Sequence, residues 1–360
     1  MTPHAWLDQP AAVRSGEEID LAALQEYLRE RLPQLSGPFE LEQFPQGFSN
    51  LTYLLRCGAQ EFVLRRPPHG ANLKSGHDMS REFRLLSALA PHCNKVLTPV
   101  LFCDEHNPLR ASFYLMQRVR GVILRNRAPQ GLELKPELMQ KICFALIDTM
   151  LELHSLDYKA AGLHDLAHAE GYVERQISGW TKRYANARTD EIPEIEQTAT
   201  WLASHQPKSF AAALIHNDYR YDNVVLDPNE LTRIVAILDW EMATIGDPLM
   251  DVGTTLAYWA EANDPPALRQ FGLTSLPGNL NRQEFVERYA MRSGREVGDM
   301  IFYFVYGMFK LGVIAQQIYA RYRLGFTRDE RFAQLIHVVR TCGQTALRAL
   351  EKNRIHRLYD

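Results

Sequence analysis

Apolar residues recur at helical spacing from Glu17 to Arg31, where Leu21, Leu24, Leu28 and the following Leu32 share one stripe, and this period predicts an amphipathic helix. Two short apolar runs come next, Leu51–Cys57 and Glu61–Arg65, separated by Gly58-Ala59-Gln60. Extended runs joined by a short glycine-containing loop predict a hairpin. Helical period returns over Asp78–Ala90 through Met79, Phe83, Leu86 and Leu89, and two strand-like runs, Val100–Cys103 and Ser112–Val119, lead to Gly121. Past Gly121 the pattern changes. Pro136–His154, Gly171–Asn186, Pro193–Ser204, Arg282–Ser293, Asp299–Tyr322 and Arg328–Glu351 all carry spaced apolar residues and predict helices. Between Leu214 and Leu238 short β-like runs flank a polar loop instead. The shift at Gly121 predicts an α+β chain of two lobes, residues 1–120 of mixed strand and helix and residues 121–360 mainly helical.

Composition narrows the function classes. Hydrophobic residues make up 46% and charged residues 23%, ordinary for a soluble globular protein, and a length of 360 residues suffices for two cores. The formal net charge of −3 supplies no general attraction to nucleic acid or anionic lipid, so neither is an expected partner. Five cysteines without a C-x-x-C pair fit reduced thiols, and the first residues lack a basic segment followed by an apolar one; together these predict a cytoplasmic protein. The most apolar window, Met300–Ala315, contains Lys310 and falls short of the ~20 apolar residues a spanning helix needs, so it predicts a buried helix of the larger lobe rather than a membrane contact. No feature speaks to oligomeric state.

The densest chemistry is His216-Asn217-Asp218-Tyr219-Arg220-Tyr221-Asp222-Asn223, an H-x-D-x-x-x-x-N pattern followed by Asp239 at the end of the β-like run Ile234–Leu238. Phosphoryl transfer needs such a set: one carboxylate to accept the hydroxyl proton, and oxygen ligands for Mg²⁺. Asp218 is the candidate base; Asn223 and Asp239 are the candidate metal ligands.

Taken together, His216-Asn217-Asp218, Asn223, Leu238-Asp239-Trp240-Glu241, Gly246-Asp247-Pro248 and Asp251 resemble the aminoglycoside-phosphotransferase and choline-kinase superfamily. The similarity is strongest to the branch fused to, or encoded beside, acyl-CoA dehydrogenases, and covers roughly residues 40–350. Phe44-Pro45-Gln46-Gly47-Phe48-Ser49-Asn50 looks like the family's phosphate loop, and Phe62-Val63-Leu64-Arg65 like the strand carrying the ATP-contacting cation. Arg81-Glu82-Phe83 looks like the following helix, and Tyr114-Leu115-Met116-Gln117-Arg118-Val119 like the hinge. The resemblance implies a bilobal, protein-kinase-like fold, with an antiparallel sheet and a helix in the N-lobe and a mainly helical C-lobe. It implies ATP and Mg²⁺ as cofactors, with adenine near Val63, Met116 and the backbone of Gln117 and Val119, and phosphates near Gly47, Ser49 and Asn50.

Several of these residues also carry plainer readings. Gly47-Phe48-Ser49-Asn50 is equally a hairpin turn. Strand alternation puts Val63 and Arg65 on one face and Leu64 and Arg66 on the other. The resemblance, in which the adenine-packing residue stands two positions before the phosphate cation on the same face, implies Arg65 as that cation; the alternative is two solvated arginines. Glu82 falls on the apolar stripe of its helix, where a carboxylate requires a cation, Arg65 being the candidate and Arg81 or Arg84 the alternatives. His216 reads as a structural residue of the loop, Asp247 as a helix cap before Pro248, and Asp251, by the resemblance, as a brace for the loop backbone. Glu241 fits either a second metal shell or solvent.

Arg220, two residues after the candidate base, reads either as a stabiliser of the transferring phosphoryl group or as an attractor of an anionic acceptor. A cation there repels a polycationic aminoglycoside. By resemblance, the acceptor is a small molecule carrying a hydroxyl, a hydroxyacyl-CoA or hydroxy acid; aminoglycoside- or choline-type acceptors and a nucleotide-binding scaffold are the alternatives. A protein kinase ranks below these, since no Ala-Pro-Glu segment follows Asp239 and a capped helix begins too soon for an activation loop.

Overall fold

The computed structural model describes residues 3–45, 50–68, 78–166, 170–298, 300–327 and 329–360. In chain order the elements begin with α1 (Leu21–Arg31), β1 (Phe39–Gln43), β2 (Leu51–Cys57), β3 (Gln60–Arg66), α2 (Met79–Leu89), β4 (Pro99–Cys103) and β5 (Phe113–Gln117). They continue with α3 (Pro136–His154), α4 (Tyr172–Ala187), α5 (Pro193–Ser204), β6 (Ala213–Ile215), β7 (Val224–Leu226), β8 (Ile234–Ile237) and β9 (Thr244–Gly246). The last are α6 (Pro248–Tyr258), α7 (Pro266–Arg269), α8 (Arg282–Ser293), α9 (Met300–Arg323) and α10 (Leu335–Lys352). Two compact units result: Met1–Ile123 with Ala161–Leu163 and Val225–Met242, and the remainder.

The first unit is built on an antiparallel sheet in the order β1-β2-β3-β5-β4. Alternation along β3 divides its side chains between two layers. Phe62 and Leu64 join Tyr53, Leu55, Phe113 and Leu115 in a core with Leu24 and Leu28 of α1. Val63 and Arg65 take the other face, with Arg65 opposite Tyr114 and Val63 opposite Met116. There α2 packs, started by Asp78, whose carboxylate accepts from Arg81 N at 2.9 Å. Phe83 of α2 meets Phe102 and Tyr114 with ring centroids 5.8 and 6.1 Å away. The pair β7–β8 belongs to this unit, and Gly121 explains how it fits. A Cβ at 121 would lie 2.3 Å from Val225 Cγ1 and 2.4 Å from the Leu226 carbonyl oxygen, so only glycine lets the neighbouring Val122 exchange both backbone hydrogen bonds with Leu226.

The second unit is mainly helical and is organised around α9. This helix runs 24 residues, longer than its apolar window suggests, and is long and apolar enough to cross a membrane by length and composition alone. Yet 78% of its most apolar stretch is buried inside the protein, against α4, α5, α6 and α10, so it is the core helix of this unit. Its contact with α6 is backbone to backbone: a Cβ on Gly307 would sit 2.1 Å from the Gly253 carbonyl oxygen, and one on Gly253 2.1 Å from that of Tyr303. An α+β, protein-kinase-like fold, sheet plus helix in one unit and mainly helix in the other, is what the sequence led us to expect.

Local differences have physical reasons. β1 is an edge strand of sequence Phe-Glu-Leu-Glu-Gln, too short and acidic for its apolar pattern to announce. α1 starts at Leu21, not Glu17, because Asp20 caps it by accepting from Ala23 N at 3.0 Å. The helix expected from Arg328 is instead a 3-10 turn, Glu330–Gln334, capped by Asp329, before α10 begins at Leu335.

Candidate active site

Within the first unit, β3 delivers Arg65 into a set of acidic side chains. Its guanidinium Nη2 donates to Asp239 Oδ1 at 2.8 Å, and Glu241 Oε2 lies 3.6 Å from the same nitrogen. Nη1 stands 3.4 Å from Glu82 Oε1 on α2. Burial works against the Arg65 charge, but Glu82, Tyr114, Asp239 and Glu241 outweigh it and hold the guanidinium well above its ordinary pKa. Burial raises the pKa of Glu82, with Arg65 opposing the rise. Asn50 Nδ2 donates to Glu241 Oε2 at 2.6 Å, and Arg81 Nη1 to the Glu241 carbonyl at 3.1 Å. Glu241 therefore faces protein cations and an amide rather than bulk solvent.

Among the described residues, three carboxylates surround the buried Arg65 guanidinium, an oxygen-rich setting of the kind a hard cation takes. Asp239, at 31% exposure, is the most accessible of the three. It sits in left-handed backbone, φ +63°, a conformation that costs a non-glycine residue energy and that clusters at functional sites. Val63 and Met116 are buried on the same face of the sheet as Arg65 and Tyr114. The Gln117 N–H donates to the Thr98 carbonyl at 2.9 Å, and Val119 is half-buried. Gly47 and Ser49 lie outside the described residues.

Within the second unit, Asp218, Arg220 and Asn223 share the loop that follows β6. Asn223 Nδ2 donates to both the carbonyl and Oδ2 of Asp218, each at 2.8 Å. With its amide hydrogens so used, Asn223 offers Oδ1, the atom a hard cation takes. Arg220 lies between two carboxylates, Asp218 and Asp222, at 3.4 Å from each, with its guanidinium 4.7 Å from the Tyr258 ring. Burial pushes the Asp222 carboxyl up, against the pull of Arg220 and Arg125. Arg220 is thus charge-matched locally, which weakens the expectation that it repels polycationic acceptors.

The loop backbone is held by groups from α3, α6 and α9. Asp251 of α6 accepts from His216 N and Asn217 N, each at 2.7 Å, and from His154 Nε2 at 3.1 Å. Although burial raises it, the Asp251 pKa is net lowered by His154 and His216. His154 of α3 uses its other nitrogen with the Tyr289 hydroxyl at 2.8 Å. His216 is fully buried, and its Nδ1 accepts from Asp218 N at 3.3 Å. Asp247 caps α6 through Leu249 N at 2.9 Å and also accepts from the Tyr303 hydroxyl at 2.9 Å. Sequence reasoning missed His154 and Tyr289, and took Lys310 only as a charge in an apolar window. Each sits inside a helix whose pattern reads as core; the signal available was a polar group on a buried face.

The fold and these residues define a kinase-like phosphotransferase. The model of the phosphotransferase enzyme family matches residues 40–285, and the chain belongs to that family. It is 34% identical over 323 residues to acyl-CoA dehydrogenase family member 10 of Mus musculus, covering 88% of this chain but only 30% of that relative's length. Among solved structures, it resembles a Ralstonia eutropha JMP134 protein provisionally classed as an aminoglycoside phosphotransferase. There the identity is 30% and the TM-score 0.78, over 93% of this chain and 99% of that one. The aminoglycoside phosphotransferase APH(4)-Ia, solved as a ternary complex with ADP and hygromycin B, shares the fold at a TM-score of 0.57 and 14% identity, over 90% of this chain and 98% of that one.

Proposed function

We propose that this enzyme transfers the γ-phosphoryl group of ATP, with Mg²⁺, to a hydroxyl of a small molecule. Asp218 takes the hydroxyl proton. Its Oδ2 is oriented by Asn223 and its Oδ1 faces Arg220, an arrangement that suits an ionised carboxylate. Arg65 binds the nucleotide phosphates, where a planar guanidinium is a competent bidentate donor. Val63, Met116 and the backbone of Gln117 and Val119 receive adenine, and Glu82 fixes Arg65. Asp239 of the first unit and Asn223 of the second each carry an oxygen suited to Mg²⁺, which would supply charge neutralisation on the phosphates when bound. The observation that carries the reading is the buried Arg65 set among Glu82, Asp239 and Glu241, a guanidinium suited to phosphate beside acidic groups suited to a metal.

For the acceptor we favour a hydroxyacyl-CoA or hydroxy acid, supported by the likeness to a relative named as an acyl-CoA dehydrogenase. Phosphorylation turns a poor leaving hydroxyl into a good one for a later elimination. The free cysteines and near-balanced charge support a cytoplasmic setting without nucleic-acid or membrane partners. An aminoglycoside acceptor is the second reading, supported by the provisional class of the Ralstonia protein and by the local charge matching of Arg220.

Purified protein incubated with Mg-ATP and a panel of 3- and 4-hydroxyacyl-CoAs, hydroxy acids, choline and kanamycin separates these readings. Turnover of acyl-CoAs or hydroxy acids, abolished by chelating the metal and by Asp218→Asn, is the expected result. Turnover of kanamycin or choline alone would overturn the acceptor assignment, and nucleotide binding without transfer to any hydroxyl would favour a scaffold.

A further inference from the structure

Lys310 has no part in the chemistry above, yet it is a charged side chain with only 2% of its surface exposed, on the core helix α9 of its unit. Its Nζ donates to the Asn217 carbonyl at 2.6 Å, with the Trp180 ring 5.6 Å away. That carbonyl and the Asp218 N–H are opposite edges of one rigid peptide plane. The second edge is held as well, by His216 Nδ1 at 3.3 Å. The preceding plane is anchored by Asp251, which accepts from Asn217 N at 2.7 Å. Asn217 itself is in left-handed backbone, φ +66°, a conformation that persists where surrounding groups enforce it. A buried ammonium is a costly way to fill a helix position whose neighbours are Phe309 and Leu311. Burial pushes its pKa down to about 8, with the charges of Asp218 and Asp251 opposing the fall. Packing alone is served by an apolar residue; a cation aimed at the carbonyl next to the base serves orientation.

We propose that Lys310 is a positioning residue for Asp218, its ammonium locking the Asn217–Asp218 peptide and thereby the direction of the carboxylate. This rests on Asp218 being the base. Lys310→Met, Lys310→Arg and Asp218→Asn of the full chain are compared by ADP release from Mg-ATP, with the best acceptor of the panel and with water, and by amide exchange at residues 216–218. Lys310→Met should lower kcat on the order of 10²-fold, the scale of a small misplacement of a reacting group, while KM for Mg-ATP stays within about twofold. Lys310→Arg, which keeps the charged donor, should recover most of that loss. The amides of residues 216–218 should exchange at least about tenfold faster in Lys310→Met, with Tm not lowered and the exchange of α10 not accelerated. Wild-type kcat and exchange in Lys310→Met, beside an inactive Asp218→Asn, would overturn the proposal. So would a kcat loss that follows Tm in both Lys310 variants. If Asp218→Asn retains turnover, the assignment of the base is what fails, and the exchange rates still decide whether Lys310 holds the loop. Should Lys310→Met not fold, Lys310→Gln keeps a neutral donor: slow kcat with a wild-type Tm supports the role, and wild-type kcat refutes it.

Discussion

Asp251→Asn gives the sharpest test of how the loop backbone around Asn217 is held. The carboxylate is fully buried and serves three donors: Asn217 N on Oδ1, and His216 N with His154 Nε2 on Oδ2. Asparagine preserves the volume but turns one oxygen into a donor. An amide nitrogen in the place of Oδ1 confronts the Asn217 N–H; in the place of Oδ2 it confronts both other donors. The first arrangement is the cheaper one, and it still forfeits one hydrogen bond and strands one buried donor. Hydrogen bonds to a charged group contribute about 1.5–3 kcal/mol, and an unsatisfied buried donor costs about 1–3 kcal/mol, so a loss of about 3 kcal/mol is expected at neutral pH. Guanidinium unfolding followed by tryptophan fluorescence should report it as a lower midpoint with unchanged slope. The Asp251 pKa is lowered in the folded protein, so its contribution is complete above the unfolded value of 3.8 and fades as pH falls through the folded one. The gap between wild type and variant should therefore shrink below about pH 4. A loss under about 0.5 kcal/mol at pH 7, or a gap that widens on acidification, would refute the reasoning.

Arg65→Met removes the guanidinium from Glu82, Asp239 and Glu241; breaking the buried Arg65–Glu82 pair costs about 3–5 kcal/mol and should show in a lower Tm together with loss of Mg-ATP binding by calorimetry. Gly307→Ala drives a methyl to within 2.1 Å of the Gly253 carbonyl oxygen, and forced overpacking of α6 on α9 should cost about 1–3 kcal/mol or more in thermal unfolding. Lys310 titrates near 8 in the folded protein against 10.5 ordinarily, so above pH 8 the unfolded chain binds the extra proton and stability rises with pH. That rise, at most ~3 kcal/mol by linkage, should be absent from Lys310→Met when both are unfolded by denaturant from pH 7 to 10.

Much of the fold is legible because helical period survives tertiary packing. Pro193–Ser204 and Arg282–Ser293 have the bounds their spacing predicts, since Pro193 sits at a first helical position and the Asn281–Glu284 capping box opens α8. β1 was invisible because its stability comes from pairing with β2, not from its own sequence. In the candidate site, the H-x-D-x-x-x-x-N segment exposes its chemistry locally, as consecutive residues of one loop. Glu82 could be matched to Arg65 by the physical demand that a buried carboxylate find a cation, and they stand 3.4 Å apart.

From the sequence alone came the α+β class, the family, and the residue types that phosphoryl transfer needs, because periodicity and short motifs are written in neighbouring positions. Tertiary structure alone decided that Val225–Met242 packs with the N-terminal sheet, that Glu241 joins Asn50 and Arg65, and that His154, Asp251 and Lys310 converge on the backbone around Asn217. Those contacts join positions scores of residues apart. Which polar group a buried helix face presents, and to what, is fixed by packing geometry that no local pattern encodes.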